Sequence, residues 1–183
     1  AVLAEMPVFE SIDGVTGMTA GTYSYYDAAG AEAASVPEGY SGAVLKMETR
    51  DTGGHLGATF DYSAQEIAIT DIESITFRVY YLSGDVQELR MTTDKGSHWV
   101  VKMAPPSGSA GKWLDFTIDK DGTNFNTGYS LSSLANEDGN LGAFNFGIRT
   151  NSGRNGPFYI DSITVKQQEK TWQTNGTGSV AEG

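Results

Sequence analysis

Few side chains in this sequence have the chemistry of a reacting centre. There are two histidines, His55 and His98, and no cysteine. Thiolate nucleophiles, zinc–thiolate sites and disulfides are therefore excluded together. Neither histidine stands in an HExxH spacing, so a helix-borne zinc with its glutamate base is missing. No GxSxG elbow and no phosphate-cradling glycine loop is present; Gly53-Gly54-His55-Leu56-Gly57 reads as a turn feeding a strand. Glu48 and Glu88 fall mid-strand, where two carboxylates facing each other across a cleft would suit hydrolysis of a glycosidic bond. No local context marks either one, and a chain with 23 acidic residues makes chance pairs common. Tyr80, His98 and Arg78 are the matching set for elimination chemistry.

The sequence is richer in groups that bind without reacting. Arg78 and Tyr80 share a strand face with Thr76, opposite Ile75, Phe77, Val79 and Tyr81. Glu88 and Arg90 oppose Leu89 and Met91, while Asn145 and Arg149 oppose Phe144, Phe146 and Ile148. Trp99 has the parity of Val101 and Met103, which is the core side; a bulge within His98–Val101 would turn it outward. Trp113 has the outward parity of Asp115 and Thr117. Two readings stay open. The alternation is what any solvated sheet face shows, with Arg78 and Glu88 as an ordinary cross-strand pair. Alternatively, Arg78, Tyr80, Arg90, His98, Trp99 and Arg149 form a ligand face of rings and planar donors. Tyr23, Tyr25 and Tyr26 would be an aromatic loop or a cover for the core edge, and Trp172 has no assigned place.

The elements behind these residues have a period of two. Strands are expected at Val8–Ile12, Ala43–Thr49, His55–Tyr62, Ser74–Tyr81, Val86–Thr92, His98–Met103, Trp113–Ile118, Ala143–Thr150 and Phe158–Val165. Turn signals at Ser83-Gly84-Asp85, Asp94-Lys95-Gly96, Asp121-Gly122 and 151–156 separate them. The 23 glycines against 5 prolines fit many tight turns. Ala28–Ala34 carries no apolar stripe and reads as loop, and Leu131–Asn136 is the one place for a short helical turn. The fold class is all-β, a sandwich or barrel spanning residues 1–166, with 167–183 as a polar tail or linker.

Charge narrows the partners. A formal net charge of -11 disfavours nucleic acid, which needs a basic footprint, and anionic lipid surfaces. No run of eighteen apolar residues offers a membrane span. The opening Ala1-Val2-Leu3-Ala4 lacks the basic start and apolar run of an export leader.

Four pieces, taken in order, carry a resemblance. They are Val8-Phe9-Glu10-Ser11 with a turn at Gly14, and Tyr40-Ser41-Gly42-Ala43-Val44-Leu45-Lys46-Met47. Then come Ile69 through Tyr80 and finally Phe158-Tyr159-Ile160-Asp161-Ser162-Ile163-Thr164-Val165. From Val8 to Val165 the chain resembles the galactose-binding-like jelly rolls, the scaffold of many carbohydrate-binding modules. The resemblance implies two facing antiparallel sheets and non-catalytic binding of a polysaccharide or oligosaccharide. It also implies a secreted or cell-surface location within a larger multidomain protein, and a structural calcium held by Glu10, Asp161 and the Lys46 carbonyl. Calcium takes six to eight oxygen ligands, and a carboxylate inside the apolar strand at Asp161 needs a compensating partner. The alternative is that Asp161 lies at a bulge and accepts backbone N–H groups. Asp119-Lys120-Asp121-Gly122 lacks the further ligands of an EF-hand and reads as a hairpin turn. Three functions follow: glycan binding, a jelly-roll glycoside hydrolase or polysaccharide lyase, and a structural or adhesive module.

Overall fold

The structure, a computed structural model, describes residues 2–5, 15–16, 22–26, 37–39, 44–48, 54–82, 86–93, 99–150 and 157–168. Its strands are β1 (Val2–Glu5), β2 (Val15–Thr16), β3 (Thr22–Tyr26), β4 (Val44–Glu48), β5 (Gly54–Asp61) and β6 (Ile72–Tyr81). They continue as β7 (Val86–Thr93), β8 (Trp99–Met103), β9 (Leu114–Asp119), β10 (Ala143–Thr150) and β11 (Pro157–Gln167). One sheet runs β3-β4-β11-β6-β9 with β1 also on β11, six strands in all; the other, five-stranded, runs β2-β5-β10-β7-β8. Every pairing is antiparallel. The fold is a two-sheet antiparallel β-sandwich, as the resemblance implied.

The period-two pattern becomes a core because each sheet turns its apolar parity toward the other. Phe77, Val79 and Tyr81 of β6 and Phe158, Ile160, Ile163 and Val165 of β11 are buried from one side. Phe144, Phe146 and Ile148 of β10 and Leu89 and Met91 of β7 are buried from the other. The sheets meet where Phe77 stacks on Phe146 with ring centroids 3.9 Å apart and 14° between planes. Phe144 meets Phe77 edge-on at 5.9 Å, and Phe158 lies 6.2 Å from Phe146. Burying each such ring contributes roughly 2–3 kcal/mol.

Most connections cross from one sheet to the other. β6 and β7 are separated only by 82–85, yet β6 pairs with β11 and β9 while β7 pairs with β10 and β8. An Arg78–Glu88 pair is thus ruled out as a cross-strand contact, since these strands belong to opposite layers. Among the described strands, only β3–β4 and β7–β8 join neighbours in sequence that also pair.

Several expectations are refined. The strand foreseen at Val8–Ile12 lies outside the described residues, whereas β1, β2 and β3 were not anticipated. Tyr23, Tyr25 and Tyr26 belong to β3, not to a loop. The short turn is a 3-10 helix at Leu131–Leu134, closed by a Ser130/Ser133 capping box and burying Leu131 and Leu134. Two further 3-10 turns occur at Ser63–Gln65 and Ile69–Asp71. Asp119 forms a turn but not the expected hairpin, since the next strand, β10, lies in the other sheet; its Oδ1 accepts the Asp121 N–H at 3.0 Å, and its carbonyl accepts Gly122 N–H at 3.0 Å. The last strand runs to Gln167, and Gln168 bonds the Asp71 and Thr70 carbonyls at 2.6 and 2.8 Å. Residues 169–183 lie outside the described set.

Candidate functional site

The outward face of the five-stranded sheet gathers polar and aromatic groups in three register rows. Asn145 pairs with Thr92, which pairs with Trp99. Gly57 pairs with Gly147, Gly147 with Arg90, and Arg90 with Lys102. Arg149 pairs with Glu88. At strand spacing the patch is about 10 Å across and about 14 Å along. The facing glycines leave a position beside Arg90 where neither central strand contributes a side chain.

Trp99 is on this face because of a local irregularity. The β7–β8 register shifts between Met91 and Thr92, so Val100 and Val101 both enter the core and Trp99 turns out. That is the bulge the sequence had left open. Asn126 holds the turn by donating from Nδ2 to the Trp99 carbonyl at 2.7 Å, while its N–H bonds the Val100 carbonyl at 3.0 Å. The Arg90 guanidinium lies over the Trp99 ring, 4.2 Å from the centroid, a cation–π contact.

Arg90 is outward by parity, yet its side chain is only 8 % exposed. Nε donates to Glu88 Oε2 at 2.6 Å, and Nη2 contacts the same oxygen. Glu88 Oε1 lies 3.5 Å from Lys102 Nζ. Burial pushes the Glu88 carboxyl up, but the hydrogen bond and charge of Arg90, with Lys102, outweigh it, and its pKa falls below the ordinary value. Arg90 Nη1 has no acceptor among the described residues. A nearly buried N–H group without an acceptor is costly.

The opposite face, on the six-stranded sheet, is arranged differently. Arg78 Nε lies 3.2 Å from the buried Asp161 carboxylate, Nη1 3.5 Å from Asp115, and Nη2 donates to the Gly39 carbonyl at 2.9 Å. Its guanidinium is 5.2 Å from the Trp113 ring, whose Nε1 donates to the Glu38 carbonyl at 2.8 Å. Tyr80 meets Trp113 at 5.4 Å and Tyr159 at 6.1 Å. Gly39 has φ +104, and a Cβ there would come within 2.9 Å of the indole. Arg78 and Trp113 thus fasten residues 38–39 onto the sheet. Replacing Arg78 with methionine is expected to destabilise the fold by about 2 kcal/mol, because Asp161 is left buried without its cation. Urea unfolding of the variant measures this, and an unchanged midpoint would contradict it.

The six residues expected to share one ligand face are therefore divided. Arg90, Trp99 and Arg149 occupy the five-stranded sheet, and the first two touch. Arg78 and Tyr80 occupy the other sheet, with the core between. His98 lies outside the described residues. Glu48 and Glu88 also fall on different sheets, so they do not face each other across a cleft. Tyr80 and Arg78 are likewise parted from the strand that follows His98. The site members not singled out were Lys102 and the anchoring Asn126; the parity of Lys102 with Glu88 and Arg90 was the available signal.

For calcium, Asp161 is the extra residue where the β11–β6 register shifts between Ile160 and Ser162. The Lys46 backbone pairs with Tyr159, two residues away along β11. A buried carboxylate and a main-chain carbonyl are hard oxygen donors of the kind calcium takes, and Arg78 Nε already supplies one cation 3.2 Å from Asp161. Glu10 lies outside the described residues, and among the described ones no three His, Asp or Glu side chains converge.

The fold is the β-sandwich on which carbohydrate-binding modules are built. It is similar to the low-affinity xylan-binding module CBM86 of Roseburia intestinalis, with TM-score 0.50 and 14% identity over 92% of this chain and 97% of that one. It is similar also to the family 11 carbohydrate-binding module of Clostridium thermocellum in complex with a β-1,3-1,4-mixed-linked tetrasaccharide. There the TM-score is 0.50 with 14% identity, covering 89% of this chain and 94% of that one. An exo-β-agarase contains a like unit: TM-score 0.56 and 12% identity over 91% of this chain but 25% of the agarase. No family model and no curated protein matches the sequence.

Proposed function

We propose that the protein is a non-catalytic carbohydrate-binding module that holds a polysaccharide or oligosaccharide on the outward face of its five-stranded sheet. The observation that carries this reading is the nearly buried Arg90, lying over Trp99, with Nη1 lacking an acceptor among the described residues. A sugar hydroxyl or ring oxygen supplies that acceptor, and the indole offers a flat apolar surface to the ring. Asn145 and Arg149 flank this pair. The similar solved modules of whole-chain length support binding over catalysis. So does Glu88, whose carboxylate is committed to Arg90 and Lys102. A place as one unit of a larger protein accords with the agarase in which a similar unit makes up a quarter of the chain, and a location outside the cell is part of the same proposal.

Affinity electrophoresis against xylan, mixed-linkage β-glucan, xyloglucan and agar tests the reading, with retardation by at least one expected. Migration unaffected by all four would overturn it. Arg78→Ala with Tyr80→Ala is expected to leave retardation intact, because those side chains face away from the patch.

A structural calcium at Glu10, Asp161 and the Lys46 carbonyl is part of the proposal. Its role is to tie the ends of the sandwich, with no part in ligand chemistry. A ligand bound only by the folded state raises stability by mass action. Chelation with EDTA is expected to lower the melting temperature and added calcium to restore it; identical melts with and without EDTA would remove the metal.

A further inference from the structure

We propose that Glu88 is a positioning residue for the glycan: it holds the Arg90 guanidinium over Trp99 and leaves Nη1 to the ligand. The inference rests on the binding reading above. An arginine side chain has several rotatable bonds, and holding it in one pose costs entropy on binding unless the fold has already done so. Glu88 does this from two residues away on the same strand face. Its Oε2 takes both Nε and Nη2, which fixes the guanidinium plane about the one remaining nitrogen. Its other oxygen faces Lys102 on β8, so the carboxylate is itself held and does not swing with Arg90. The charged groups around Glu88 among the described residues are Arg90 on β7, Lys102 on β8 and its register partner Arg149 on β10. All are cations, so the carboxylate stays ionised well into acid.

The arrangement differs from a fold-stabilising ion pair in what it predicts. Neutralising Glu88 frees Arg90 to rotate off Trp99, and affinity falls even where the sandwich remains intact. Binding of xylan and mixed-linkage β-glucan is measured by affinity electrophoresis and tryptophan fluorescence for wild type, Glu88→Gln and Glu88→Asp, with melts in parallel. Glu88→Gln is expected to lose about tenfold in affinity. Wild-type affinity is expected to be flat across neutral pH and to fall only in acid, as Glu88 gains its proton. In Glu88→Gln that acid limb disappears, and affinity lies on the low plateau throughout. Glu88→Asp keeps a carboxylate and is expected to keep the limb. Wild-type affinity with Glu88→Gln, or an acid limb that persists in Glu88→Gln, overturns the inference while leaving the binding face in place. A wild-type protein that binds neither polysaccharide nor the other two gel probes sinks the binding reading itself.

Discussion

Trp99→Ala is expected to weaken glycan binding by about thirtyfold or more, with little change in the melting temperature. The two effects separate because of where the ring lies. Trp99 is turned out of the core by the β7–β8 register shift, so its loss opens no cavity between the sheets. What it removes is the apolar plate for a sugar ring and the surface that keeps Arg90 in place. Truncating a central aromatic in a desolvated contact typically costs about 2 kcal/mol or more, a factor of about thirty in affinity. Isothermal titration with a glycan that retards the wild type measures it. Equal affinity in the variant would show that the ligand sits elsewhere, and a large fall in melting temperature would show that the indole is structural.

Phe146→Ala is expected to destabilise the sandwich by about 3–5 kcal/mol. The ring is the point where the sheets interlock, stacked on Phe77 at 3.9 Å and neighboured by Phe116 at 6.0 Å and Phe158 at 6.2 Å. These partners come from three strands of the facing sheet, so the vacated space cannot be filled by moving one of them. Such a loss is a large part of the total stability of a domain. Urea denaturation followed by fluorescence reports it directly. A shift no larger than that of an exposed substitution would mean the core repacks freely about the gap.

The strands that bury a clean alternating face were readable from sequence: β6, β7, β9 and β10 stand within two residues of their expected ends. The N-terminal strands were harder, because β2 has two residues and β1 four, too short for a period to show. The face of each residue was also readable, as Arg90, Asn145 and Arg149 illustrate. Which sheet each face belonged to was not. Parity sorts inward from outward, but in a sandwich there are two outward directions. Sequence-adjacent strands usually pair, which made Arg78 and Arg90 look like neighbours. The short crossing after Tyr81 sends them to opposite sides. Trp99 was legible only as a choice, since the bulge depends on how β8 registers against β7.

The order of strands in each layer bears on how the chain reaches this state. β10 lies between β5 and β7, and β11 between β4 and β6, so the last two strands made occupy the middle of both sheets. In a nascent chain ending before residue 143, β4, β5, β6 and β7 would each lack a neighbour that the finished sandwich supplies. Unpaired edges recruit strands from other molecules. Cotranslational assembly is thereby deferred until the C-terminal strands emerge, and shortened chains lacking them are expected to aggregate rather than persist as smaller domains.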